Sequence, residues 1–423
     1  MKILIPRKFY RKPIFWIWFL IVYNNIYRSL IGFLHFPNAI VYLSDIACAI
    51  LAFSLLKNRK SILFDAKSTG FICGFLFAET VIGYLLNLYN PLIYIWGLRT
   101  FFRYFVFFLA CVKYLRTKDV EKILNFFGVL VFINAAFCIL EFVLGFGWDN
   151  ISGLYTAGRV VRGGAAGLNV LMCIYCTYVM IQFLYKRCSL IQMVLPIMLC
   201  MFMAALSEQK AFYFEFIIIL VLANLFSRFS LKKLLVILGG VSAVFVGLAL
   251  YMRYYGNMND IFSIEAMMAY AGTDGSTYGQ HLLNRTTALP FMLENFLHEL
   301  VQKLFGLGLG YGDNVSFEFF SSGFFSKYNY LGYQYFFTSL EVVNIGILGL
   351  VLYYAFIISV FFYTRRKIKV MQEEMKVHFI FAEVVCALII FFSAYNQSPI
   401  LDFAAFNMYF SLAVPFVVAH EQS

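Results

Sequence analysis

FFTSLEVVNIGILGLVLYYAFIISVFFY, residues 336–363, is followed at once by TRRKIK, residues 364–369. The apolar run exceeds the ~20 residues that carry a helix across ~30 Å of hydrocarbon. Its one acidic or basic residue is Glu341. The basic cluster behind it is what a membrane span shows at its cytoplasmic end. The same pattern recurs from end to end. Spans are expected near 14–34, 38–56, 69–89, 92–115, 123–145, 164–185, 189–207, 211–228, 234–252, 336–363, 378–396 and 402–420. Only Glu208, Gln209 and Lys210 separate the seventh from the eighth. Of the 423 residues, 62% are hydrophobic and 13% charged, about half the share of charge that covers a soluble domain. The fold class expected is an all-α polytopic membrane protein of about twelve transmembrane helices, forming one integral membrane domain.

The net charge of +11 is no nucleic-acid footprint, because the basic residues sit in short clusters between apolar runs. Arg365, Arg366, Lys367 and Lys369 form one such cluster, and Lys57, Arg59, Lys60 and Lys67 another. With the N-terminus inside, the outer segments hold only Arg159, Arg162, Lys210, Arg253, Arg285, Lys303 and Lys327. This bias puts both termini in the cytoplasm and the chain in the cytoplasmic membrane. Residues 1–13 are basic, but the apolar stretch after them is too long for a cleavable signal and lacks a small-residue cleavage site. The nine cysteines fall in or beside apolar runs, so no disulfide framework is indicated. Cys173 and Cys176 form a CxxC inside an apolar run, which reads as small-residue packing rather than redox chemistry.

Two outer segments stand out. Residues 148–164 are short and Gly-rich. Residues 253–335, between the ninth and tenth spans, form the one long extracytoplasmic loop. A helix is expected at 276–302, followed by GLGLGYG (306–312) and a stretch rich in Phe, Tyr, Ser and Gly. So long a loop is functional or disordered, and this one is too aromatic for disorder.

Arg159, Arg162, Lys210 and Arg285 are the cations that tight outer turns and the loop helix can gather into one patch. A guanidinium fork binds phosphate oxygens bidentately, and an ammonium acts as a point charge. The alternative is that each is a solvated or snorkelling charge. The glycines of 306–312 either cradle a phosphate through backbone N–H groups or simply turn the chain. His281, four residues before Arg285, is a candidate general base on the same helical face. Glu208, Asp274, Asp313 and Glu318 are acidic candidates that the sequence does not rank. Within the spans, Glu79, Arg99, Arg103, Glu141, Glu215, Glu341 and Glu383 cost ~2.5–3.5 kcal/mol each at mid-helix. Glu79 with Arg99 or Arg103 reads as structural pairing. Glu215, one turn below Lys210, reads as the functional exception. No His, Asp or Glu cluster has metal-ligand spacing, and neither metal nor cofactor is expected.

Four stretches together resemble the superfamily of O-antigen polymerases and O-antigen ligases. They are RVVRGGAAGLNV (159–170), LSEQKAFYFEF (206–216), LNRTTALPFMLENFLHELVQKLFGLGLGYG (283–312) and NIGILGLVLYY (344–354). They lie within about half the chain. Lys210 stands where the family's turn has an Arg. The resemblance implies a GT-C-like, metal-independent glycosyltransferase of the Wzy type. Its substrates would be polyprenyl-pyrophosphate-linked oligosaccharides, with a flippase and a chain-length regulator as partners. Arg159, Arg162, Lys210 and Arg285 would bind pyrophosphate, with His281 or Glu208 as base. The ligases carry a His before the post-loop span, and GYQYFFTSLEVVNIG (332–346) has none. A ligase is therefore the second reading. A lipid-oligosaccharide flippase is the third, against which the long loop and the lack of internal repetition count. A scaffolding membrane protein would need no outer cationic cluster.

The orientation is directly testable. Alkaline phosphatase fused after Phe320 is expected to be active and fused after Gln372 inactive. The reverse pattern would invert the topology.

Overall fold

Proline opens two of the long helices, where its missing N–H costs nothing because the first-turn donors have no intrahelical partner: Pro13 begins α1 (Pro13–Leu34) and Pro91 begins α4 (Pro91–Tyr114). The structure, a computed structural model, describes residues 12–57, 67–147, 150–158, 163–227, 231–255, 283–315 and 317–421. The other early helices are α2 (Leu43–Lys57), α3 (Lys67–Asn87), α5 (Thr117–Val143), α6 (Ala165–Leu184), α7 (Leu190–Leu206), α8 (Lys210–Phe226) and α9 (Leu231–Tyr255). Short helices α10 (Ala288–Asn295), α11 (Leu300–Phe305) and α12 (Phe324–Tyr328) lie in the long loop. The chain ends with α13 (Phe337–Lys367), α14 (Lys376–Tyr395) and α15 (Asp402–His420). No strand occurs among the described residues.

Each of the twelve expected apolar runs is a helix. Nine of these, among the described residues, are long and apolar enough to cross a membrane: α1 to α6 and α13 to α15, with α2 counted from Asn38. By this measure nine of the twelve expected spans are seen among the described residues. At 17 residues each, α7 and α8 rise only about 25 Å, short of a full hydrocarbon layer. α9 runs for 25 residues, Leu231–Tyr255.

Burial grades the bundle. The most apolar windows of α15 and α6 are 94% and 89% buried, those of α2 and α3 only 28%. α15 is the central post, packed on α1, α4, α6 and α14. Lipid supplies no hydrophobic drive between helices, so packing and interhelical hydrogen bonds hold them. Asn25 of α1 and Asn407 of α15 exchange amide hydrogen bonds at 3.0 Å. Tyr155 also donates to Asn25.

α13 is broken. Gly346 has φ 65° and ψ −170° inside it. A broken helix at membrane depth survives only if neighbours take the freed backbone groups. The GLGLGYG segment does so: the Leu307 N–H donates to the Val343 carbonyl at 2.7 Å, and the Gly312 N–H to Asn344 Oδ1 at 2.9 Å. The segment's own carbonyls are met as well. Asn87 donates to Gly306 O at 3.3 Å, Tyr89 to Leu309 O at 3.0 Å and Tyr333 to Gly312 O at 2.7 Å. The strap is thus wedged between α13 on one side and the α3–α4 corner on the other. A Cβ on Gly346 would overlap the Leu304 carbonyl, and one on Gly97 would come within 2.6 Å of the Gly310 nitrogen. These glycines serve close approach, and the N–H groups of Gly306, Leu307, Tyr311 and Gly312 are engaged inside the protein.

Gly346→Ala should therefore destabilise by about 2–4 kcal/mol, from left-handed backbone strain plus overpacking. Gly74→Ala, where a Cβ meets nothing within 4 Å, should be neutral or stabilising. Thermal unfolding of the two variants in detergent compares them.

Candidate functional site

Four charged side chains meet at the loop-side end of the bundle. Asp45 lies in the first turn of α2 and Asp402 in the first turn of α15. Arg99 and Arg103 project from α4. Arg103 reaches Asp402 at 2.5 Å and Asp45 at 3.0 Å, and Arg99 reaches Asp45 at 2.7 Å. The buried hydroxyl of Tyr104 donates to Asp402 at 2.7 Å and accepts from Arg103 at 3.1 Å. Two cations and two anions cancel, which is how charges persist in a low-dielectric bundle. This corrects the expected pairing of Glu79 with Arg99 or Arg103. Both Glu79 carboxylate oxygens are buried without a hydrogen-bond partner among the described residues.

Beside this cluster is a polar cavity of about 270 Å³. Arg103 and Thr100 of α4, Asp313 after the glycine strap, Glu341 and Asn344 of α13, and Gln397 before α15 contribute to its wall. Asp313 accepts from Thr100 at 2.8 Å and from Asn344 at 2.9 Å. Burial raises its carboxyl pKa above the usual range, while those donors and the nearby Arg103 and Arg99 charges pull it back. Asn344 binds the Gly312 N–H with its oxygen and Asp313 with its amide nitrogen, so the broken helix itself fixes where Asp313 stands.

Arg285 stands close by in sequence terms, but not on a helix. The expected helix 276–302 is replaced, where described, by a turn and then α10 and α11. Pro290 falls in the first turn of α10, where a helix tolerates its missing N–H. Asn284 completes the turn by accepting from the N–H groups of Thr286 and Thr287 at 2.9 and 2.8 Å. Arg285 donates through Nε to the Tyr395 carbonyl at 3.0 Å, and its guanidinium lies 4.0 Å over the Tyr395 ring. It also approaches the ring of Phe336. Tyr395 and Phe336 are within two residues of Gln397 and Tyr335, which line the cavity.

Lys210 opens α8, is 44% exposed and pairs with Glu208 at 3.5 Å. Glu208 turns the chain between α7 and α8 in a left-handed conformation, φ 52°. One turn below, Glu215 accepts from Asn169 at 2.7 Å and from the Cys173 thiol at 3.2 Å, which ties α8 to α6. Arg159, Arg162, His281 and Asp274 lie outside the described residues, and Lys210 and Arg285 are held by different partners, Glu208 and Tyr395. Of the acidic candidates, Asp313 alone lines the cavity; Glu318 is exposed. Sequence reading missed Asp45 and Asp402, because a lone carboxylate at the start of an apolar run looks like a solvated helix end. Glu383, at the other end, is held by Arg365 at 3.0 Å.

No model of a known protein family matches the chain, and no curated protein matches it. The described residues define an all-helical protein with nine helices able to cross a membrane and a polar, charge-lined cavity at its loop-side end.

Removing one partner of a buried ion pair strands the others. Arg103→Ala is expected to cost about 3–5 kcal/mol, read as a fall in the unfolding midpoint. Lys210→Ala breaks an exposed pair and should change stability by less than about 1 kcal/mol.

Proposed function

We propose that the chain is a polysaccharide polymerase of the outer face of the cytoplasmic membrane. It would join oligosaccharide repeat units carried on polyprenyl pyrophosphate. The observation that carries the reading is Arg285, a guanidinium fixed by the Tyr395 carbonyl and ring, two residues in sequence from Gln397 on the cavity wall. A pyrophosphate leaving group gains charge in the transition state, and a preorganised cation there is worth more than one in water. Lys210 is the second described cation of this clamp, with Arg159 and Arg162 assigned to it by sequence.

In the reaction, a sugar hydroxyl oxygen of the incoming unit bonds to the anomeric carbon of the growing chain. The bond from that carbon to the pyrophosphate oxygen breaks, and the pyrophosphate leaves with the electron pair. The hydroxyl proton passes to a base. Asp313 suits this role better than Glu208, which is turned to Lys210, or Glu318, on an exposed turn. A carboxylate whose pKa burial raises toward the working pH is a better proton acceptor. The spanning helices and the loop side support placement at a membrane surface, where one substrate's lipid tail stays in the bilayer while its sugar enters the cavity.

The purified protein, given lipid-linked repeat units, should yield a ladder of chain lengths and release polyprenyl pyrophosphate. Arg285→Ala should lower that rate at least ~100-fold with the unfolding midpoint unchanged. Absence of a ladder despite substrate binding, or full activity of the variant, would remove this reading.

A further inference from the structure

The acids around the cavity outnumber its cations. Arg99 and Arg103 are already matched by Asp45 and Asp402. Among the described residues, Asp313 and Glu341 on the wall then have no ion-pair partner of their own. Glu341 is 2% exposed, and its Oε2 is buried with no hydrogen-bond partner. Gln334 Oε1, on the same wall, is likewise buried and unpartnered. A buried acceptor left without a donor costs roughly 1–3 kcal/mol, so the cavity wall holds two acceptors that a donor would satisfy. Residues 256–282 contain no Lys or Arg. Nor do three His, Cys, Asp or Glu side chains gather as metal ligands among the described residues.

An ammonium carries three donors and no acceptor, which answers Glu341 and Gln334 together. One donor on the wall is also unpartnered, the buried Arg103 Nε, and it calls for an oxygen. A simple amine lacks that oxygen; a sugar ring bearing both an amine and hydroxyls has it. A cavity of about 270 Å³ lies just below the ~300–1,000 Å³ of drug-sized pockets, enough for a single ring. We propose that this cavity binds a sugar carrying a free, protonated amine, with Glu341 and Gln334 as the amine's acceptors. That the sugar belongs to the incoming repeat unit rests on the polymerase reading above; the cavity's preference does not.

The test needs no turnover. The full chain in detergent is melted with ~100 mM glucosamine hydrochloride, N-acetylglucosamine, glucose or sodium chloride. Glucosamine alone should raise the midpoint, by about 2–3 °C. The rise should vanish in Glu341→Gln and shrink in Gln334→Leu, each measured against its own baseline. Equal shifts with all three sugars, a shift with sodium chloride as large as with glucosamine, or a glucosamine shift that survives both substitutions would overturn the amine site. A protein that binds glucosamine yet builds no ladder keeps this inference and loses the polymerase reading. One that builds a ladder and ignores glucosamine does the reverse.

Discussion

Arg103 is a permanent cation within an apolar helix, and the loop-side half of the bundle is arranged around satisfying it. A charge taken out of water is tolerable only with partners in good geometry. Two carboxylates supply them, from helices far apart in the chain: Asp45 of α2 and Asp402 of α15. Tyr104 completes the shell and also donates to the Ile400 carbonyl, fixing the turn that leads into α15. One guanidinium thereby sets the distance between the outer helix α2, the inner helix α4 and the central post. The cavity exists beside it because α4 presents Thr100 and Arg103 on neighbouring turns of one face.

A second constraint acts from the other wall. Breaking α13 at Gly346 frees backbone groups that hydrocarbon cannot satisfy, and the glycine strap repairs the break. In doing so it brings Asp313 against Asn344 and Thr100. The conformational freedom of a few glycines is thus converted into the fixed position of one carboxylate. Neither wall stands alone, because the strap also leans on α4 at Gly97. The ion-pair cluster and the strap meet across the cavity.

Much of this was legible beforehand and some was not. The apolar runs announced all twelve helices to within a few residues, because hydrocarbon thickness imposes a length that needs no knowledge of neighbours. Arg285 was picked out because cations are scarce in the outer segments. Its setting differs from the expected helix: Arg285 lies in a turn before α10, whose first turn holds Pro290. The expected pairing of Glu79 with Arg99 or Arg103 does not form, because proximity in sequence, from α3 to α4, is a poor guide when a helix can turn either face. Glu341 stands in the sequence only as a costly charge within a span, yet it lines the cavity with an oxygen left over. The glycines were half understood, since a positive φ and a close approach have the same sequence signature as a phosphate cradle.

The sequence by itself determined what depends on solvent: which segments leave water, about how long they are, and which side their basic flanks favour. It did so because transfer of a residue into hydrocarbon is a local property of that residue. Only the tertiary structure decided which charges neutralise one another, which carboxylates remain unmatched, and that a helix should break to seat a loop. Those outcomes depend on faces brought together from distant parts of the chain, and a Coulomb energy that varies with separation and burial cannot be read from spacing along it.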